Sequence, residues 1–215
     1  MIKATYFAAN GWLIDFDGIR ILIDPWLRGN LKFSPGEWLL KGTLSKEFEI
    51  PSDLDLILIT QALEDHCHKE TLNLLDKKTP VLASKKAAEI VTKLGFQNVI
   101  SLGHQKTRHF KGLAITATKG APVPYFENGY IIKNSLDSIY IEPHGFLDED
   151  LHKQNINIVI TPIFDIGIKG IGLFIKGNSS MKNIIEKFNP KFVLASTTGG
   201  DVVFEGLLGR FLSQK

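Results

Sequence analysis

The chain has 215 residues, of which 44% are hydrophobic and 22% charged, and a formal net charge of +2. That balance supports an ordinary packed core and excludes a disordered chain, and the near-neutral charge gives no electrostatic footprint for nucleic acid or an acidic membrane. The single cysteine, Cys67, excludes an internal disulfide framework and a thiolate zinc cage.

The first third reads as β-structure. Ile2–Ala8, Gly11–Phe16 and Ile19–Asp24 are runs of branched and aromatic residues, and Asp17-Gly18 between the last two has the chemistry of a two-residue hairpin turn. Asp24-Pro25 ends the third strand. A loop-like stretch with Phe33, Pro35, Gly36 and Trp38 follows, its aromatics packing as a lid over the core or running across the surface. Asp55–Thr60 is a continuous apolar run of strand length, the pattern of a strand covered on both faces. A polar segment then leads into a short helix around Glu70–Leu75, followed by a strand at Pro80–Ala83. Ser84 is placed to cap a helix whose face carries Ala87, Ile90, Val91 and Leu94, and Gly95 is placed to stop it.

Strands return at Val99–Leu102, Thr107–Phe110, Leu113–Thr118, Gly129–Lys133, Ser138–Glu142 and Asn157–Thr161. A glycine-rich loop is expected over Ile166–Leu173, then a helix at Ser179–Phe188 broken by Asn189-Pro190. A last strand follows at Lys191–Ala195, with a helical tail over Val203–Leu212. No internal repeat at a fixed period interrupts this order. No apolar run approaches the ~18 residues of a membrane span, and the N-terminus lacks a leader pattern, so a cytoplasmic location is expected.

The densest set of candidate ligands is Gln61-Ala62-Leu63-Glu64-Asp65-His66-Cys67-His68, at the C-terminal end of a buried strand, where loops converge on a site held by a rigid sheet. Imidazole with carboxylate suits zinc, iron or manganese. A plain helix start would also gather Glu64 and Asp65, through the helix dipole. Asp24, at a strand end beside this segment, either orients a ligand from behind or caps backbone amides.

The segment Thr60 to His68 resembles the His-x-His-x-Asp-His signature of the metallo-β-lactamase fold, with Gln61 and Leu63 where two histidines stand. The run from Asn10-Gly11-Trp12-Leu13 to Ile21-Leu22-Ile23-Asp24-Pro25 resembles that family's opening strands, and the likeness is nearest to its lactonase-like branch, which includes ascorbate-phosphate lactonases. The resemblance spans nearly the whole chain. It implies one domain over residues 1–215, a four-layer αβ/βα sandwich with two mixed sheets face to face and helices outside. It further implies that the third histidine is missing from Lys119-Gly120-Ala121-Pro122, that His144 stands in the place of a bridging aspartate, and that Thr197 or Thr198 stands in the place of the last histidine.

On that reading the site is at most mononuclear. Asp65, His66 and His144 would hold one divalent metal (zinc first, then manganese or iron), with Asp65 in the catalytic place. Gln61, His68, Glu142, Thr197 and Thr198 would line the pocket, with Asp24 behind the ligands. Such a protein is a hydrolase of a small ester, lactone or phosphoester. The alternative is a non-catalytic descendant that holds no metal and binds a small molecule or a protein partner. Nucleic acid and membrane are expected in neither case.

Overall fold

The computed structural model describes residues 1–33, 35–122, 125–168, 172–197, 201–208 and 212–214. Strands β1 (Ile2–Ala8), β2 (Gly11–Phe16) and β3 (Ile19–Ile23) form an antiparallel meander. Asp17 and Gly18, with φ of 55° and 88°, make its second turn, the two left-handed residues that a tight hairpin requires. Short strands β4 (Asn30–Lys32) and β5 (Lys41–Leu44) follow, then β6 (Leu56–Ile59), α1 (Lys69–Asn73), β7 (Val81–Ala83), α2 (Lys85–Lys93) and β8 (Val99–Ser101).

The second half repeats the plan with β9 (Thr107–Phe110), β10 (Leu113–Lys119), β11 (Asn128–Lys133), β12 (Ser138–Ile141) and β13 (Ile158–Pro162). It ends with β14 (Asp165–Ile168), β15 (Gly172–Lys176), α3 (Gly177–Phe188), β16 (Phe192–Ser196), β17 (Val202–Glu205) and β18 (Leu212–Gln214).

Two six-stranded mixed sheets result, ordered β1-β2-β3-β6-β7-β8 and β16-β13-β12-β11-β10-β9. Trp12, Ile14, Ile21, Ile23 and Leu58 of the first pack against Ile115, Tyr130, Ile132, Ile139 and Ile160 of the second. The alternate residues of the same strands face outward: Leu22, Ile57 and Ile59 lie under α1 and α2, and Ile131, Tyr140 and Val159 lie under α3. Helix, sheet, sheet, helix is therefore the layer order, as expected. It also explains why β6 reads as an unbroken apolar run, since both of its faces are covered.

Four features differ from the sequence expectation. The stretch after Asp24 contains β4 and β5, three and four residues long and too short to show an alternation. They pair with β17 in a small sheet over Trp26 and Leu31; Phe33 packs there half-buried, while Trp38 is 65% exposed. The expected loop over Ile166–Leu173 instead carries parts of β14 and β15, which pair antiparallel, because Ile166 and Ile168 alternate with Gly167 at the period of a strand. Of the expected tail helix, residues 203–205 belong to β17, paired with β5, and Leu212 opens β18, paired with β14, while residues 209–211 lie outside the described residues; Val202, Val203 and Phe204 are strand-forming residues. Ser84 occupies the N-cap of α2 in extended geometry, but its hydroxyl makes no capping bond. Among the described residues no helix is long and apolar enough to cross a membrane.

Candidate metal centre

Both sheets deliver their polar residues to one edge of the sandwich. Ala9-Asn10 turns between β1 and β2, Asp24 follows β3, and Thr60-Gln61 follows β6. Glu142 and His144 follow β12, and Thr197 follows β16. Ala9, Asp24 and Thr197 are all non-glycine residues in the left-handed region, with φ of 47°, 43° and 53°. Such backbone costs energy and persists only where the surroundings fix it. Here the Thr197 amide donates to the Ala9 carbonyl at 2.9 Å, and the Ser196 hydroxyl donates to the same oxygen at 3.1 Å, tying the first sheet to the second.

After β6 the chain makes a tight turn in which the amides of His66 and Cys67 both donate to the Leu63 carbonyl, at 3.0 and 2.7 Å. This turn aims Asp65 and His66 into the edge. His66 is fully buried, and its Nδ1 lies 2.8 Å from Asp24 Oδ2. Asp24 also accepts from the Thr60 amide at 2.8 Å and from the Thr60 hydroxyl. It therefore both orients His66 and satisfies backbone. Burial opposes a charge on His66, but the carboxylates of Asp65, Asp24 and Glu127 outweigh it and raise its pKa to about 10. Burial also pushes the Asp24 carboxyl upward, against the pull of His66 and Thr60.

The second histidine is built in the same way. His144 Nδ1 lies 2.7 Å from Glu127 Oε1, and Glu127 Oε2 accepts from the Ala121 amide at 3.0 Å. A side chain at Gly120 would place its Cβ 2.8 Å from that Oε2, so the glycine makes room for the carboxylate. Burial works against charge on Glu127, yet the His144 imidazole and its hydrogen bond hold it below the usual range.

Glu142, fully buried, is the counterpart of Asp24. Ile23 pairs with Leu58, two residues before Thr60, and Ile141 pairs with Ile160, two residues before Pro162. Proline offers neither the N–H nor the hydroxyl that Thr60 gives Asp24, and neither Glu142 oxygen has a well-formed hydrogen bond. Burial, reinforced by the adjacent Glu127 charge, pushes its pKa well above the carboxylate range.

Asp65, His66 and His144 come together, each offering one ligand atom within 4.8 Å of the others. Asp65 is 21% exposed, its Oδ2 is 3.4 Å from His66 Nε2, and its Oδ1 is buried without a hydrogen-bond partner. Gln61 is buried in the same edge; its Nε2 donates to the Tyr125 carbonyl at 3.4 Å and its Oε1 is unpartnered. Thr197 reaches the site only through Asn10, donating to its Oδ1 at 2.9 Å, and Thr198 lies outside the described residues.

His68 is turned away. It caps α1, accepting from the Thr71 amide, and packs against Trp26. Cys67 packs with Leu72 and Leu75 in the core under α1, and burial with the Asp24 and Glu64 charges pushes its thiol up to about 12. His104 contacts the Glu127 backbone carbonyl at 3.0 Å, while His109 and His152 are exposed.

Two residues were not assigned to the site from sequence. Asn10 lies with one terminal amide atom 3.2 Å from His66 Nε2 and 3.4 Å from Asp65 Oδ2. Glu127 ends the connection between β10 and β11, which carries no motif, and only its place directly before a buried strand could have marked it.

The donor set fits a divalent cation. Each histidine spends Nδ1 on a buried carboxylate, which fixes the tautomer and leaves Nε2 for an ion. Asp65 Oδ1, a buried oxygen without a partner, is the kind of atom that a cation satisfies. A spread within 4.8 Å is one that an ion with bonds of about 2.0–2.2 Å closes after small side-chain adjustments.

The chain matches the family described as beta-lactamase superfamily domain over residues 3–197. No curated protein matches it. Among solved structures it is similar to a possible metal-dependent hydrolase from Veillonella parvula, with a TM-score of 0.68 and 17% identity over 92% of this chain and 85% of that one. An isothiocyanate hydrolase from Delia radicum gut bacteria gives a TM-score of 0.68 and 18% identity, with the same shares covered. CmlA, a diiron β-hydroxylase from Streptomyces venezuelae, gives 0.63 and 17% over 93% of this chain and 45% of that one. With the αβ/βα layers and the clustered ligands at the sheet edge, the match places this chain in the beta-lactamase superfamily, with the metallo-β-lactamase fold.

Proposed function

We propose that the chain is a metal-dependent hydrolase with a single-ion site, acting on a small ester, lactone or phosphoester. The observation that carries this reading is the matched pair of carboxylate-anchored histidines, Asp24–His66 and Glu127–His144, converging on Asp65. Two well-separated segments have each been given a buried carboxylate behind a histidine. That is costly to maintain unless the other ring nitrogen is used.

Asp65, His66 and His144 would hold the ion. When bound, it supplies Lewis-acid polarisation of the scissile group and a water made acidic enough to attack at neutral pH. The protein does the rest. Asp24 keeps the His66 Nδ1 protonated and Glu127 does the same for His144, so neither ring can rotate or swap tautomers. Asp65 would spend one carboxylate oxygen on the ion and keep the other to accept a proton from an attacking water. Substrate approaches past Asp65, the most open of the three, while Gln61 and Asn10 close the sides. Leu63 and Gln61 stand where the sequence resemblance puts two further histidines, and neither the alkyl side chain nor the amide replaces an imidazole, which supports one ion rather than two.

Zinc is the first candidate, with manganese and iron next. Lactones head the substrate classes because of the sequence resemblance to the lactonase-like branch.

Elemental analysis of untagged protein, compared with His66→Ala, tests the reading. About one ion per chain, absent from the variant, together with hydrolysis of a lactone or phosphodiester by the loaded protein alone, is the expected result. No ion in either protein after titration with zinc and manganese would leave the non-catalytic descendant, whose pocket would then bind ligands without regard to chelators.

A further inference from the structure

We infer that Asn10 is a fourth protein ligand of the metal, beside Asp65, His66 and His144, through its side-chain amide oxygen. The inference rests on the single-ion reading above and extends it to a residue in the first sheet's opening turn.

Asn10 Nδ2 lies 3.2 Å from His66 Nε2 and 3.4 Å from Asp65 Oδ2, those two atoms are 3.4 Å from each other, and turning the amide over exchanges Nδ2 for Oδ1 at nearly the same place. The three form a nearly equilateral triangle. A tetrahedral site with bonds of about 2.0–2.1 Å has ligand atoms about 3.3–3.4 Å apart, so the triangle has the size of one face of such a tetrahedron. His144 offers a ligand atom within 4.8 Å of those of Asp65 and His66, and an ion that expands to five positions keeps one open for water.

The amide is also held for this purpose. Asn10 is 4% exposed, and its backbone is fixed between left-handed Ala9 and the Thr197–Ala9 hydrogen bond. Its second terminal atom meets the Thr197 hydroxyl at 2.9 Å. A hydroxyl both donates and accepts, so Thr197 tolerates either face of the amide. The nitrogen and oxygen of the amide are distinguished only by their partners. With nitrogen facing the site, the two N–H bonds of the amide meet Asp65 Oδ2 and His66 Nε2. Turned over, the amide puts its oxygen in the same place beside those two atoms, and a cation then takes the place of both hydrogen bonds. An amide oxygen is a neutral, hard donor, compatible with zinc, manganese or iron beside imidazole and carboxylate.

Cobalt(II) titration of the full chain tests this, followed by the visible spectrum, whose intensity reports a low coordination number without any need for turnover. The wild type should take up about one cobalt with intense visible bands. Asn10→Ala should bind at least ~10-fold more weakly with an altered spectrum. Asn10→Asp, which keeps an oxygen in place and adds charge, should bind as tightly or more tightly. Far-UV circular dichroism establishes that each variant is folded, and Asn10→Asp serves if Asn10→Ala is not.

Unchanged affinity and spectrum in Asn10→Ala would overturn the inference, since Asn10 would then be no ligand. Tighter binding in that variant would also overturn it, because the amide would be competing with the ion. Weaker binding in Asn10→Asp than in the wild type would overturn it as well. If the wild type itself bound no cobalt, the single-ion function would fail. If the wild type bound cobalt and the Asn10 variants did not differ from it, only the ligand assignment would fail.

Discussion

Each of the two site histidines holds one ring nitrogen on a buried carboxylate, and the carboxylates come from unrelated places in the chain. Glu127→Gln tests the weaker-marked pair. The substitution keeps the shape but removes the charge that His144 Nδ1 meets at 2.7 Å. Zinc affinity, measured by chelator competition, should fall on the order of 10–100-fold, with the far-UV spectrum unchanged. An affinity equal to the wild type would mean that His144 needs no carboxylate behind it. Asp65, His66 and Asp24 were legible in the sequence because they follow strands recognisable by their apolar runs. Glu127 and Asn10 were not. A buried glutamate in a loop carries no local pattern, and the contacts of Asn10 are with residues 55 and 56 positions away.

Elements show the same division between local and distant causes. Strands β1 to β3, rich in branched and aromatic residues, and β6, an unbroken apolar run, are readable because burial dictates their residues. β4 is three residues long and pairs with the nearby β5, while β5, β17 and β18 are short strands, each with a partner from a remote part of the chain. The short helix α1 illustrates a local device that the ligand motif conceals. His68, expected at the pocket, accepts from the Thr71 amide as N-cap of this five-residue helix. Burial leads the causes that lower its pKa from 6.5.

A histidine with a depressed folded pKa binds protons more weakly folded than unfolded. Its stabilisation is therefore complete above pH ~6.5 and is lost as pH falls from there through the folded value. Asparagine caps helices without titrating. The melting-temperature advantage of wild type over His68→Asn should be constant above pH ~7 and shrink as pH falls below ~6.5. An advantage that does not change between pH 7 and 5 would mean that His68 does not act through a neutral ring nitrogen.

Across the whole molecule, the ligands divide between the two sheets. Asn10, Asp65 and His66 come from the β1–β2 turn and the end of β6, whereas His144 comes from the end of β12. An ion bound by both groups joins the halves of the sandwich at the edge where Thr197 and Ala9 already meet. Since the unfolded chain brings no such set together, binding free energy becomes folding free energy. At a free ion concentration of about 100 times Kd the gain is ~2.7 kcal/mol. For a chain of this size, roughly 2–4 °C per kcal/mol, the melting temperature should rise by about 5–10 °C. His66→Ala should show no such rise, and neither should wild type in excess chelator. Saturation with an ion that leaves the wild-type transition unmoved would place that ion on surface carboxylates, available equally in the unfolded chain, and not between the sheets.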